Sequence, residues 1–174
     1  MSTHPIDFPK LWEYISSLPN HRSPYSVHGP DHWRRVERNA LILATRTGAV
    51  VDVVRLFALF HDSRRINEHD DPGHGSRGAR LAESLRGKLY HLPDDHFALL
   101  LEACEGHTDI HHHADPTIGT CWDADRLDLG RVGMDPDPAY MSTDFGREIA
   151  AHGSIDPWLD DINECPGRNK NRHP

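Results

Sequence analysis

A chain of 174 residues suits one compact domain built on a single core and does not call for two. Its 19 Lys and Arg stand against 27 Asp and Glu, a formal charge of -8, which argues against a broad basic surface gripping duplex nucleic acid and leaves small anionic substrates open. Runs of about twenty apolar residues are absent, and the opening MSTHPIDFPK lacks the charged-then-apolar layout of a secretory signal, so a cytoplasmic protein without a membrane anchor is expected.

The predicted elements are helical, because apolar residues recur at three and four rather than at two. A short amphipathic helix is expected over about 7–18, stopped by Pro19. From Pro30, a favoured first helical residue, PDHWRRVERNALILATRT runs to a capping Gly48. A dense apolar helix follows over about 51–62. The polar stretch INEHDDPG is a loop, after which HGSRGARLAESLRGKL resumes helical spacing. Pro93 opens a further helix, with Asp94 and Asp95 in its first turn, that ends near Gly106. GHTDIHHHADP reads as loop, and TCWDADRLDLG as a short helix closed by Gly130. Residues 131–140 read as a turn, a last helix is expected near 140–151, and the end, 166–174, as a disordered tail. No strand pair and no repeat is seen. Cys104, Cys121 and Cys165 are odd in number and widely spaced, so neither a disulfide framework nor a thiolate zinc site is expected.

Histidine is the unusual component, with 15 residues. His32 shares a helical stripe with Val36, Ala40 and Leu43. His61 follows Val54, Phe57 and Ala58 at helical spacing, and Asp62 comes one step further round. His74 precedes Gly78, Leu81 and Leu85; His107 follows Leu100 and Cys104; Asp125 lies between Cys121 and Leu129. Six polar groups thus fall on faces that should be buried. Burying unpaired imidazoles and carboxylates costs several kcal/mol apiece, and a divalent cation is a common remedy for a mixed His and Asp cluster. A nitrogen and oxygen shell suits manganese, iron, cobalt, nickel or zinc better than calcium. Asp123 and Asp128 compete with Asp125 if the helix is rotated.

Three pieces in order, HGPDHWRRV, FHDSRR and DADRLDLGRVG, resemble the HD superfamily of metal-dependent phosphohydrolases. That family carries the pattern H, then HD, then D across an all-helical bundle. The likeness covers residues of about 28–133. It implies an all-α, single-domain helical bundle of the HD type over 1–165, with His32, His61, Asp62 and Asp125 as metal ligands and Asp128 in an orienting or helix-end role. Some members hold two metals through extra histidines between the doublet and the final aspartate; His74 and His107 stand where those would be, so one or two divalent transition-metal ions per chain are implied. The GYP signature of the cyclic-dinucleotide branch is missing, and that specificity is not carried over.

The expected activity is hydrolysis of a small phosphate ester, such as a nucleotide, by a metal-activated water. Asp62 would orient or deprotonate that water, while Arg64, Arg65 and Arg35 would neutralise charge on the phosphoryl group. Alternatives are a dinuclear-iron oxygenase, since some HD proteins with this ligand set are oxygenases, and a non-catalytic metal-organised binding module. His28 precedes Pro30 and suits a loop or a role behind the ligands as well as coordination. The run His111, His112 and His113 reads as solvated loop.

Overall fold

The structure, a computed structural model, describes residues 5–19 and 26–165. The expected disordered tail, 166–174, lies outside the described residues. Seven α-helices are described: α1 (Phe8–Ser17), α2 (Pro30–Thr47), α3 (Val51–Phe60), α4 (His74–Leu85), α5 (Asp94–Gly106), α6 (Pro116–Arg126) and α7 (Asp144–His152). Tighter 3-10 segments cover Leu129–Val132, Pro138–Tyr140 and Asp156–Glu164. No β-strand occurs among the described residues; the only extended pairing is an isolated bridge between Arg86 and Tyr90. No described helix is long and apolar enough to cross a membrane.

Helix α3 is the axis of the fold. Seven of its ten residues are buried, Val53, Val54 and Leu56 through Phe60, and a helix that is apolar nearly all round must be covered on every side. Helices α2, α4, α5 and α6 do so. Each large apolar side chain fully buried here, Trp33, Trp122, Phe57, Phe60 and Leu43 among them, contributes about 1.5–3 kcal/mol. Both tryptophan N–H groups are satisfied: Trp122 Nε1 donates to the Ala103 carbonyl and Trp33 Nε1 to the His28 carbonyl, each at 2.9 Å.

Helix α2 begins and ends as its sequence predicts, with Pro30 in the first turn and Gly48 left-handed at φ 75°. Two expectations shift. Helix α6 starts four residues before Thr120, because Asp115 caps it by accepting from the Thr117 and Ile118 amides and Pro116 occupies its first position. It ends at Arg126 rather than running to Gly130, which falls instead inside the 3-10 segment Leu129–Val132. The last helix starts at Asp144, capped by the Thr143 side chain. The segment Asp156–Glu164 had no sequence-level expectation; it packs against α2.

Candidate metal centre

Five helices present their ends to one place. His32 is the third residue of α2; His61 caps the C-terminus of α3, with Asp62 next in chain; His74 opens α4; His107 caps α5; Asp125 sits one residue before the end of α6. The four histidines and Asp62 are buried, at 8 % exposure or less, whereas Asp125 is only half-buried. Two triads result, His32, His61 and Asp62, and Asp62, His74 and His107, each with candidate ligand atoms within 4.8 Å of one another.

The ring orientations are fixed from behind. His61 Nδ1 donates to the Phe57 carbonyl (3.1 Å), His74 Nδ1 to the Asp71 carbonyl (2.7 Å) and His107 Nδ1 to the Cys104 carbonyl (2.7 Å). A carbonyl can only accept, so each Nδ1 carries a proton, and a ring in its neutral form turns a lone pair outward from Nε2. His32 Nδ1 is held by the Asp128 carboxylate at 2.7 Å. These Nε2 atoms then meet head to head, His32 with His61 at 3.1 Å and His74 with His107 at 2.9 Å. Two lone pairs at that separation repel unless a proton or a cation lies between them. Two imidazoles sharing one transition metal, with bonds of about 2.0–2.1 Å, would stand roughly 2.9–3.4 Å apart. The donor set fits such an ion.

Asp62 divides itself between the pairs. Its Oδ2 lies 3.6 Å from His32 Nε2 and 3.8 Å from His61 Nε2, while Oδ1 lies 3.2 Å from His74 Nε2 and 3.7 Å from His107 Nε2. His28 Nδ1 donates to Oδ2 at 2.9 Å. Burial opposes ionisation of Asp62, but the adjoining His61 imidazole and hydrogen bonds from His107, His28 and His74 hold its carboxyl well below the usual range. Asp125 Oδ1 lies 3.3 Å from His32 Nε2 and 3.9 Å from His61 Nε2. Its pKa is likewise lowered: burial works against this, and the His32 hydrogen bond, the neighbouring His61 imidazole and the Arg131 guanidinium outweigh it. Burial pushes His61 down to about 3, so that ring is neutral and available as a donor. In His32 and His107 burial is outweighed, by Asp125 and Asp128 in the first and by Asp62 in the second, and both pKa values rise.

The second pair depends on unusually close packing of α4. A Cβ on Gly75 would stand 2.1 Å from the Cys104 carbonyl oxygen, and one on Gly78 would stand 2.2 Å from that of Phe60. Only glycine lets α4 approach the ends of α3 and α5 this closely. The loop before α4 is clipped by Asp71, whose side chain accepts from the Ile66 amide at 2.8 Å and from Arg77 at 2.6 Å.

The structure thus brings together His32, His61, Asp62, His74, His107 and Asp125. Arg65 joins them, its Nη1 lying 3.3 Å from His74 Nε2 and 3.6 Å from Asp62 Oδ1. Arg64 does not: it donates to the Pro19 carbonyl at 3.1 Å. The reason is local, since adjacent side chains on the turn after α3 leave it in different directions. Arg35 is tied to Asp128 at 2.7 Å, behind His32. Asp123, a rival ligand by sequence, is fully buried elsewhere and accepts from the Ser142 and Thr143 amides and the Thr143 hydroxyl. His111 and His112 are exposed and His113 pairs with Glu102 at 3.1 Å, so the triple histidine takes no part in the cluster. Sequence reasoning missed Arg131, whose Nη2 is 3.6 Å from Asp125 Oδ1. It sits on a 3-10 segment, where helical spacing gives no guide to direction.

No family model, curated protein or solved structure matches the chain.

Proposed function

We propose that the protein is a metal-dependent phosphohydrolase of the HD type, acting on a small phosphate ester such as a nucleotide. The observation that carries this reading is the division of one ionised carboxylate, Asp62, between two imidazole pairs whose Nε2 atoms face each other. His32, His61, Asp125 and Asp62 Oδ2 would hold one divalent transition-metal ion, and His74, His107 and Asp62 Oδ1 a second. Such ions supply Lewis acidity toward a phosphoryl oxygen and lower the pKa of water from about 15.7 toward 7.

The chain's own residues do the rest. Asp62, ionised and buried, fixes the direction of the attacking water, because its two oxygens set the positions from which that water approaches the phosphoryl group. Arg65, with its guanidinium beside Asp62 and His74, donates to the oxygens on which negative charge develops. Burial of the four histidines keeps bulk water away from these charges, which strengthens every interaction among them.

The test is a panel of phosphate esters assayed under anaerobic conditions with protein loaded separately with manganese, iron, cobalt, nickel or zinc. Hydrolysis without oxygen is expected. Turnover that needs oxygen would replace this reading with oxygenation, and hydrolysis that survives rigorous chelation, with no metal found by elemental analysis, would refute it. Absence of turnover on every ester, together with a metal-dependent rise in Tm, would make the protein a metal-organised binding module.

A further inference from the structure

A recess of about 540 Å³ opens beside His32, walled by Val27, Arg35, Leu127, Asp128 and Arg131. Its size is that of a small-ligand site, and it adjoins the cluster directly, since His32 belongs to both. Neither arginine is needed to hold a cation. Arg131 is fixed by its own bonds: Nε donates to the Val27 carbonyl at 3.1 Å and Nη1 to the Asp128 carbonyl at 3.0 Å, leaving Nη2 beside Asp125 Oδ1 at 3.6 Å, beyond hydrogen-bonding range. Arg35 uses only Nε, on Asp128 Oδ1, and its two terminal nitrogens make no hydrogen bond to a described residue.

The acids nearby do not cancel these charges. Asp128 is buried and reaches both guanidinium groups, at 2.7 Å from Arg35 Nε and 3.9 Å from Arg131 Nη1, but this one carboxylate also serves His32 and offsets at most one of the two positive charges. Asp31 lies exposed at the edge of the recess, where solvent and salt screen it. A cation shared by Asp62 and Asp125 would compensate the carboxylate that Arg131 now faces, leaving that guanidinium without its nearest counter-charge. Guanidinium donors beside the cluster, Arg131 pre-set by two main-chain carbonyls and Arg35 by the Asp128 carboxylate, suit a planar or tetrahedral anion.

We propose that this recess receives a second anionic group of the substrate, a carboxylate or phosphate set a short linker away from the scissile phosphate, and that Arg35 and Arg131 read it. This rests on the phosphate-ester reading and narrows it to substrates with two anionic groups. The experiment uses two probes that cannot be hydrolysed: phosphonopropionate, ending in a carboxylate, and propylphosphonate, ending in a methyl group. Binding to cation-loaded protein is measured by calorimetry. Wild type should bind phosphonopropionate roughly tenfold more tightly, the scale of one charge-assisted hydrogen-bonded pair. Arg35→Gln should bring the ratio close to one, and Arg35→Lys, which keeps the charge without the fork, should restore part of it. A ratio near one in wild type, or one that Arg35→Gln leaves unchanged, overturns the inference, while binding of propylphosphonate keeps the phosphate-ester reading intact. If neither probe binds, both fall.

Discussion

Gly78→Ala adds a single methyl group where α4 crosses the end of α3, and its consequence can be followed atom by atom. The new Cβ would lie 2.2 Å from the Phe60 carbonyl oxygen and 3.2 Å from that of His61, against the 3.4 Å at which ordinary contact begins. Both neighbours are main chain and cannot rotate aside, so α4 must withdraw by roughly 1 Å, at a cost of about 1–3 kcal/mol for an overpacked interior. His74 opens α4 and moves with it, away from His107 at 2.9 Å and Asp62 Oδ1 at 3.2 Å. Metal sites tolerate errors of only about 0.2 Å in ligand distance. The second cation should therefore be lost while the first, held by α2, the end of α3 and α6, remains. Elemental analysis of dialysed protein should find one ion fewer per chain than in wild type, and Tm should fall by roughly 2–4 °C for each kcal/mol. His74→Ala should give the same ion count without the packing strain. Both ions retained at unchanged affinity, with Tm within about 1 °C of wild type, would show that the glycine contact does not set the position of His74.

Three further outcomes follow from the same geometry. Asp62→Ala should weaken both sites together, by more than about 100-fold each, since each of its oxygens serves one imidazole pair; a titration in which one site keeps its wild-type affinity would contradict the shared carboxylate. His32 and His107 have raised pKa values in the cation-free chain, so part of each ring is protonated near neutral pH and must deprotonate to bind; calorimetry in buffers of different ionisation enthalpy should show proton release at pH 7, and affinity should fall with acidification beginning above pH 6.5. His61, held down to about 3, adds no proton to that release. Asp128→Asn should weaken the first site about 10–100-fold while sparing the second, because it removes the carboxylate behind His32 Nδ1 alone.

Helical periodicity was enough to find the faces that carry His32, His61, His74 and His107, because each sits among apolar residues at spacings of three and four and each proves buried. The bounds of α2 were equally legible from Pro30 and Gly48. Periodicity says nothing of how far one helix lies from another, and the division of Asp62 between two pairs depends on that distance, set by Gly75 and Gly78. Arg131 escaped for a related reason: it lies outside the α-helices, so no stripe announced that it approaches Asp125. For His28, also on a turn, the sequence left open a role behind the ligands or coordination, and the structure has it donating to Asp62. Arg64 and Arg65 look alike as neighbours in sequence; only the direction of the chain after Phe60 sends one to Pro19 and the other toward His74. The start of α6 was written in Asp115 and Pro116, a capping pair overshadowed by the histidine run before it.

The anchors behind the four rings differ in kind, and the difference bears on how the centre withstands mutation. His61, His74 and His107 lean on main-chain oxygens of Phe57, Asp71 and Cys104, atoms that every replacement at those positions would still provide. His32 leans on a side chain, and that side chain also restrains Arg35. Drift at Phe57 or Cys104 therefore leaves the accepting oxygen in place, and at Asp71 it spares that oxygen but loses the clip on the loop before α4, whereas a change at Asp128 reaches a candidate ligand and the wall of the neighbouring recess in a single step.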